Sequence, residues 1–369
     1  MVVAGAGMAG LCAAARAREL GAKPVVLEKG ERPGGSMLLS SGVVWRYRSF
    51  ADFRAQCPGG NPALQRLVFE RLDEGLAWLE SLGAPVIERE TGNPLTTGVR
   101  FDPRGLTEAL VRAAGDVRLG QPVLFGHGRG TVPRTWPKQT VVLATGGFQG
   151  DAELVERYVR PAAPLRLRTN PWSAGDGLRL ALDRGAALSN GLDEFYGRNM
   201  ADVDFGEREF VPLAQVYGRY ARVFNERGEE FLDRDVSWSE VDLVQATARQ
   251  PGARAWYVLD DGALAQRVRG RPVREIVAEA PTRADPAALP FRTPHGAVAA
   301  VRVAAAITHT IGGIRIDERA RVLADTGEPI DGLYAAGADA GGISAGGYAS
   351  GLAAALVLGR VAAETALSA

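Results

Sequence analysis

Cysteine and histidine are scarce in this chain, and the scarcity is informative. Its 369 residues hold two cysteines, Cys12 and Cys57, and three histidines, His127, His295 and His309. Two cysteines build no disulfide framework, and neither residue type is spaced as metal ligands are, so no metal centre is expected. Cys12 falls in a stretch that reads as a buried helix, where a thiol acts as a small hydrophobe. A surplus of positive charge is missing too, since 43 Lys plus Arg face 43 Asp plus Glu. Nucleic-acid binding draws on a basic excess or stripe, so no nucleic-acid partner is expected. No apolar run reaches the roughly 18–20 residues of a membrane span, and no charged segment leads into an apolar one at the N-terminus. The expectation is a cytoplasmic protein without a membrane span.

Glycine, by contrast, is plentiful at 46 residues, and it comes in clusters. The first cluster lies in "MVVAGAGMAGLCAAARARELGAKPVVLEKG", which reads as strand, turn, helix and strand. Gly5 permits the tight turn, Gly7 lets backbone approach a pyrophosphate, and Gly10 lets helix pack on strand. Met8 and Ala9 open the helix, whose N-terminus carries partial positive charge toward a phosphate. Glu28, with Lys29 behind it, ends the second strand about twenty residues on, where an acid accepts hydrogen bonds from an adenosine ribose. Together these features point to a bound dinucleotide. The first strand opens directly on Met1, so the expectation is that the native chain begins a few residues earlier.

A second glycine loop follows at once, Gly34-Gly35-Ser36 and then Ser40-Ser41-Gly42. A nicotinamide site has no use for it, whereas a flavin ring has to lie against backbone. With this loop the chain resembles the flavoprotein family of fumarate reductase and succinate dehydrogenase flavoprotein subunits and ketosteroid dehydrogenases. The resemblance implies FAD, and the lack of histidine between Gly34 and Trp45, where covalently flavinylated members carry one, implies that it is noncovalent. The fold expected is α/β: a Rossmann-like FAD-binding domain with a glutathione-reductase-like parallel sheet and an inserted α+β cap. Boundaries are expected at 1–194 and 299–369 for the FAD-binding parts and 195–298 for the cap.

Asn61, Pro62 and Gly83 bracket an apolar three-and-four repeat that predicts a core-facing helix. "FDPRGLTEALVRAAG" predicts another, and the strand after it, in "VRLGQPVLF", is where the family brings backbone near Val123 to the adenine. His127 and Arg129 read as solvated loop residues. In "KQTVVLATGGFQGD" an apolar strand reaches Ala144, Thr145 and Gly146 at the edge where open α/β sheets bind ligands. The resemblance adds Asp176, Gly313, Gly337, and Asp339 at the ribityl chain. "VFNERGEEFLDRD" predicts a hairpin turning at Asn225–Gly228 within the cap, with Glu230 where relatives carry Arg.

Near the C-terminus, "GGYASGLA" places Tyr348 and Ser350 at the mouth of a helix that opens on Gly351 and Leu352. The resemblance here is to the loop of Δ4-type ketosteroid dehydrogenases. At the two positions where fumarate reductases hold arginines this chain has Tyr217 and Gly346, while His309 matches their substrate-side histidine. Carboxylate recognition asks for bidentate arginine, so a dicarboxylate is disfavoured. The expectation is therefore desaturation next to a carbonyl, or the reverse enone reduction, on a cyclic ketone or steroid, with an unknown electron acceptor. Tyr348 and the amide near Gly351 would polarise the carbonyl. Tyr217 would be the base, its pKa depressed by Arg219 and Arg222, with Ser350 in a proton relay and hydride passing to the flavin. Tyr196 and Tyr220 are weaker candidates. Two alternatives stand beside this reading: a carboxylate dehydrogenase or fumarate-type reductase using cap arginines such as Arg198 or Arg219, and a flavin-binding protein without turnover.

Overall fold

The computed structural model describes residues 1–125, 131–132, 140–160, 164–232 and 235–368; His127 and Arg129 lie outside them. The described residues form two compact units, Met1–Val155 with Asn170–Glu194 and His309–Ala369, and Glu156–Thr169 with Phe195–Thr308.

The first unit is built on a six-stranded sheet in the order Arg321–Leu323, Pro329–Ala335, Val141–Leu143, Val2–Ala4, Val25–Leu27 and Asp116–Arg118. All pairs are parallel except the hairpin of the first two. Val141, Val142 and Leu143 are buried, as a strand covered on both faces should be. Helices Met8–Glu19 and Gly351–Ser368 pack tightly together. Gly359 permits the approach, because a Cβ there would stand 2.3 Å from the Ala9 carbonyl oxygen.

Capping residues open the two helices that the sequence predicts. Asn61 Oδ1 accepts from the Ala63 and Leu64 amides ahead of Pro62–Ser81, and the Asp102 carboxylate accepts from Gly105 ahead of Pro103–Ala114. The strand after this helix stops at Arg118, and Val123 lies beyond it in irregular chain. One helix bears on the membrane expectation. The helix Gly351–Ser368 is long and apolar enough to cross a membrane by length and composition. Ala353–Ala363 within it are buried, however, as in a core helix.

The second unit centres on the twelve-residue strand Ala299–Thr310, flanked by Arg166–Leu167 and Arg254–Leu259 and paired with Phe195–Ala201 and Arg283–Ala284. This pairing moves the expected boundaries. The long strand carries the second unit on to Thr308 instead of 298, and Arg166–Leu167, paired with Ala306 and Ile307, brings Glu156–Thr169 into the same unit. The Asn225–Gly228 turn forms as expected, closed by Gly228 N–H on Asn225 O at 3.0 Å. Glu230 pairs with Arg222 at 2.5 Å.

Glu240, like Ala253 and Arg269 of this unit, has a left-handed backbone. It has φ +52, is 5% exposed, and stands 3.7 Å from Arg198 Nη1. Burial pushes its carboxyl up to about 7, against the opposing pull of Arg198 and Arg219. The folded state therefore holds this proton more tightly than the unfolded one. The stability associated with it is present below about pH 4.5 and is lost as pH rises through about 7. The expected loss is about 3 kcal/mol, read from urea unfolding at pH 4.5 and pH 8. Glu240→Gln should flatten that slope, and an unchanged slope would contradict the assignment.

Candidate functional site

The glycine turn of the first unit divides its labour. Gly5 has φ +104, and a Cβ on it would stand 2.2 Å from the Ala144 carbonyl oxygen; one on Gly10 would stand 1.9 Å from the Gly5 oxygen. These two glycines are required by packing alone. Gly7 differs, for a Cβ there meets nothing within 4 Å. Gly7 is also the N-cap of the helix Met8–Glu19 and supplies no side-chain hydrogen bond to it. The first amides of that helix, beginning at Met8 and Ala9, carry partial positive charge next to this open side of Gly7.

Glu28 is 9% exposed, and its two oxygens accept from the amides of Ala6 and Gly30, each at 2.7 Å. Lys29 and Asp176 pair with each other at 2.6 Å. Gly34 donates to the Ala6 carbonyl at 2.8 Å, which lays the second glycine loop on the first. A Cβ on Gly35 would stand 3.2 Å from Gly7 Cα. Ser36 accepts from Asn170 at 3.0 Å. Ser40 donates to Met37 O and accepts from Gly42 N–H, Ser41 O accepts from Arg100, and Gly42 is held by a close approach to Phe101 O. The Ser40 hydroxyl and the Ser41 carbonyl thus hydrogen-bond within the chain.

At the carboxyl ends of the parallel strands, Thr145 and Gly147 donate their amides to the Asp339 carboxylate at 2.5 and 3.0 Å, and the Thr145 hydroxyl joins them. Burial raises the Asp339 carboxyl above its ordinary range, against those hydrogen bonds. Gly146 has φ +98 and faces Ser173 Oγ. Gly313 packs on the Asp339 carbonyl, and Gly337, at φ +68, on Ala9.

The C-terminal loop gathers Tyr348, His309 and the helix start. Tyr348 Oη accepts from the Gly351 amide at 3.4 Å, and its ring lies 5.8 Å from both the His309 and Trp45 rings. Tyr47 donates to the Tyr348 carbonyl at 2.8 Å and fixes the loop from below. His309 Nδ1 meets Thr310 O at 2.9 Å. Its Nε2 lies 3.0 Å from the place a Gly351 Cβ would take. Burial lowers the His309 pKa, so the ring is neutral at neutral pH. Leu352 sits in the first turn of the helix, half-buried. Ser350 has a different duty from the relay expected of it: it is 3% exposed, and its hydroxyl caps the helix by accepting from Ala353 N–H. Trp45 and Tyr47 escaped the sequence reading, although their spacing on one strand puts them on one face.

In the second unit Tyr217 is fully buried in the core with Val223, Leu243 and Tyr257. Its hydroxyl donates to Gln215 at 2.8 Å. Burial, with the Glu240 charge, raises its pKa, the reverse of what a base needs. The two arginines expected to depress it are otherwise engaged: Arg222 pairs with Glu230, and Arg219 stacks on Trp238 at 3.7 Å. Tyr217 so placed is a packing residue. Tyr196 has a lowered pKa. Its burial acts to raise it, and the charges of Arg198, Arg168 and Arg269 outweigh that.

Comparisons with known proteins agree with this geometry. A family model described as FAD binding domain matches residues 1–135 and 127–353. The probable fumarate reductase Ifc3 of Shewanella frigidimarina (strain NCIMB 400) is 26% identical, over 99% of this chain and 74% of that protein. The open conformation of a flavocytochrome c3 fumarate reductase superposes with a TM-score of 0.72 at 22% identity, covering 100% of this chain and 78% of that one. The 3-ketosteroid-Δ4-(5α)-dehydrogenase of Rhodococcus jostii RHA1 gives 0.71 at 21% identity, covering 99% and 96%. These two structural likenesses are likenesses of fold.

Proposed function

The chain belongs to the FAD binding domain family and is an FAD-dependent oxidoreductase acting on CH–CH donors, and from that premise we propose that its substrate is a cyclic ketone or steroid, desaturated next to its carbonyl or reduced as the enone. One observation carries the reading. The side chains gathered at the start of the last helix, Tyr348 and His309, are uncharged, and they surround a helix N-terminal amide. Such a set donates to a neutral carbonyl oxygen and favours the negative charge that develops on it. It offers a carboxylate no bidentate cation.

The residues of the first unit fit FAD. The open face of Gly7 and the uncapped helix behind it would take the pyrophosphate. Glu28 would take the ribose, and Asp339 the ribityl hydroxyls. The resemblance implies that FAD would be held without a covalent bond, because no histidine occurs between Gly34 and Trp45, where flavinylated relatives carry one. When bound, it supplies acceptance or donation of hydride. Tyr348 Oη and the Gly351 amide polarise the carbonyl and so acidify the α-proton. Tyr47, Trp45 and the Ser350 cap hold Tyr348 and the helix start in place. The test is dye-coupled turnover of a saturated 3-oxosteroid, with the enone identified by a mass two units lower. Turnover of succinate or tricarballylate in its place would refute the ketone reading.

A second reading is favoured by a separate observation. Arg168, Arg198 and Arg269 act together on Tyr196 in the second unit, and such a cationic setting suits a carboxylate substrate. Arg198→Leu would then raise the KM for a dicarboxylate by tenfold or more, and would leave ketone kinetics within about twofold under the first reading.

A further inference from the structure

Two buried polar atoms of the first unit lack a partner and flank the same place. Gln149 is 4% and Thr310 2% exposed, and among the described residues neither Gln149 Oε1 nor Thr310 Oγ1 has a hydrogen-bond partner. A Cβ built on Gly147 would stand 2.8 Å from each of them. The two residues are far apart in sequence, so this convergence is made by the fold. The orientation of the Gln149 amide is settled, because Nε2 donates to the Gly146 carbonyl at 2.9 Å; turned over, it would set oxygen against oxygen. Gln149 therefore presents an acceptor only, while the Thr310 hydroxyl can donate or accept. Buried polar atoms are nearly always hydrogen-bonded, and two unpaired ones at a single place call for a missing partner.

The place itself indicates which partner. Gly147 has φ +84 and belongs to the turn that gives its amide to Asp339, at the edge of the parallel sheet where ligands bind. We propose that Gln149 Oε1 and Thr310 Oγ1 hydrogen-bond the flavin portion of FAD, with Gln149 accepting from one of its donor groups. The inference rests on the family's cofactor and not on the ketone reading. FAD carries two kinds of donor there, ribityl hydroxyls and ring N–H groups. The hydroxyls are present in both redox states, and one class of ring N–H exists only after reduction. Either satisfies the pair, and each leaves a different trace.

The experiment uses the full chain as wild type, Gln149→Leu and Thr310→Val. It measures the melting temperature of the FAD-free protein, FAD affinity by fluorescence quenching, and the midpoint potential of the bound flavin. Each substitution removes an unpaired buried atom, so the FAD-free melting temperature should hold or rise. FAD affinity should fall about tenfold in each variant, the loss of one hydrogen bond. A hydroxyl donor leaves the midpoint potential unchanged; a ring N–H formed on reduction makes the potential fall as well. Both results support the pairing. Unchanged affinity and unchanged potential in both variants would overturn it, and would assign the atoms to a buried water. Thr310→Val is nearly isosteric and carries the test if Gln149→Leu does not fold. A wild-type chain that binds no FAD would overturn the cofactor assignment and this proposal together. FAD-loaded wild type that turns over no ketone would count against the substrate reading alone.

Discussion

Tyr348→Phe is expected to lower kcat on the ketone by about 10²–10³-fold while FAD stays bound, the usual cost of removing one donor from an oxyanion-type site. The contact of the hydroxyl with the Gly351 amide is long, at 3.4 Å, so losing that contact should cost little stability. The ring keeps its neighbours, Trp45 and His309, at 5.8 Å. Stopped-flow and melting measurements on the same preparation separate the two effects. Ser350→Ala is the contrasting variant. It removes a helix cap and should cost about 1 kcal/mol of stability, with kcat changed by no more than a few-fold. A Tyr348→Phe enzyme within twofold of wild type would remove the tyrosine from the chemistry. A Ser350→Ala enzyme that loses turnover at full stability would restore the relay role.

The second large effect separates two neighbouring glycines. Gly5→Ala sets a Cβ 2.2 Å from a backbone oxygen at φ +104, where neither atom can retreat. Overpacking and a left-handed backbone each cost about 1–3 kcal/mol, so the FAD-free protein should be destabilised by about 2–6 kcal/mol. Gly7→Ala meets nothing within 4 Å and its φ is −80. The FAD-free protein should keep its stability or gain about 0.4–1 kcal/mol from a stiffer unfolded chain. The same methyl group would stand where the pyrophosphate approaches, and FAD affinity should fall by at least a hundredfold. Denaturant unfolding of the FAD-free variants, followed by FAD titration, reads both. Equal FAD affinity for Gly7→Ala and wild type would show that the open face beside Gly7 is not the cofactor's.

The contrast between these glycines marks how far local sequence carries. The strand–turn–helix of Val2 to Glu19 is legible because glycine spacing, an alanine-rich helix and an apolar strand all lie within twenty residues. The caps Asn61 and Asp102 are legible for the same reason, since a cap and its amide are two or three residues apart. Ser350 carries the same signal, a serine just before a helical run, but a serine beside a tyrosine at a helix mouth is equally the pattern of a proton relay, and sequence alone does not separate the two. Tyr217 shows a different limit. Alternation along "QVYGRYARVF" says that neighbouring side chains face opposite ways, but not which face is the core. That depends on pairing of Arg222–Phe224 with the distant Trp256–Val258. The membership of Glu156–Thr169 in the second unit depends likewise on a two-residue pairing with Ala306 and Ile307. Gln149 and Thr310 meet only after the sheet has closed, and no local pattern announces them.

The measurement that tests the central claim most directly is anaerobic bleaching of the FAD-loaded protein at the flavin band. Saturated 3-oxosteroids and small cyclic ketones are compared with succinate and tricarballylate at equal concentration. Bleaching by a ketone, abolished or slowed at least a hundredfold in Tyr348→Phe, is the predicted result. Bleaching by the carboxylates alone would contradict it and move the search to Arg168, Arg198 and Arg269.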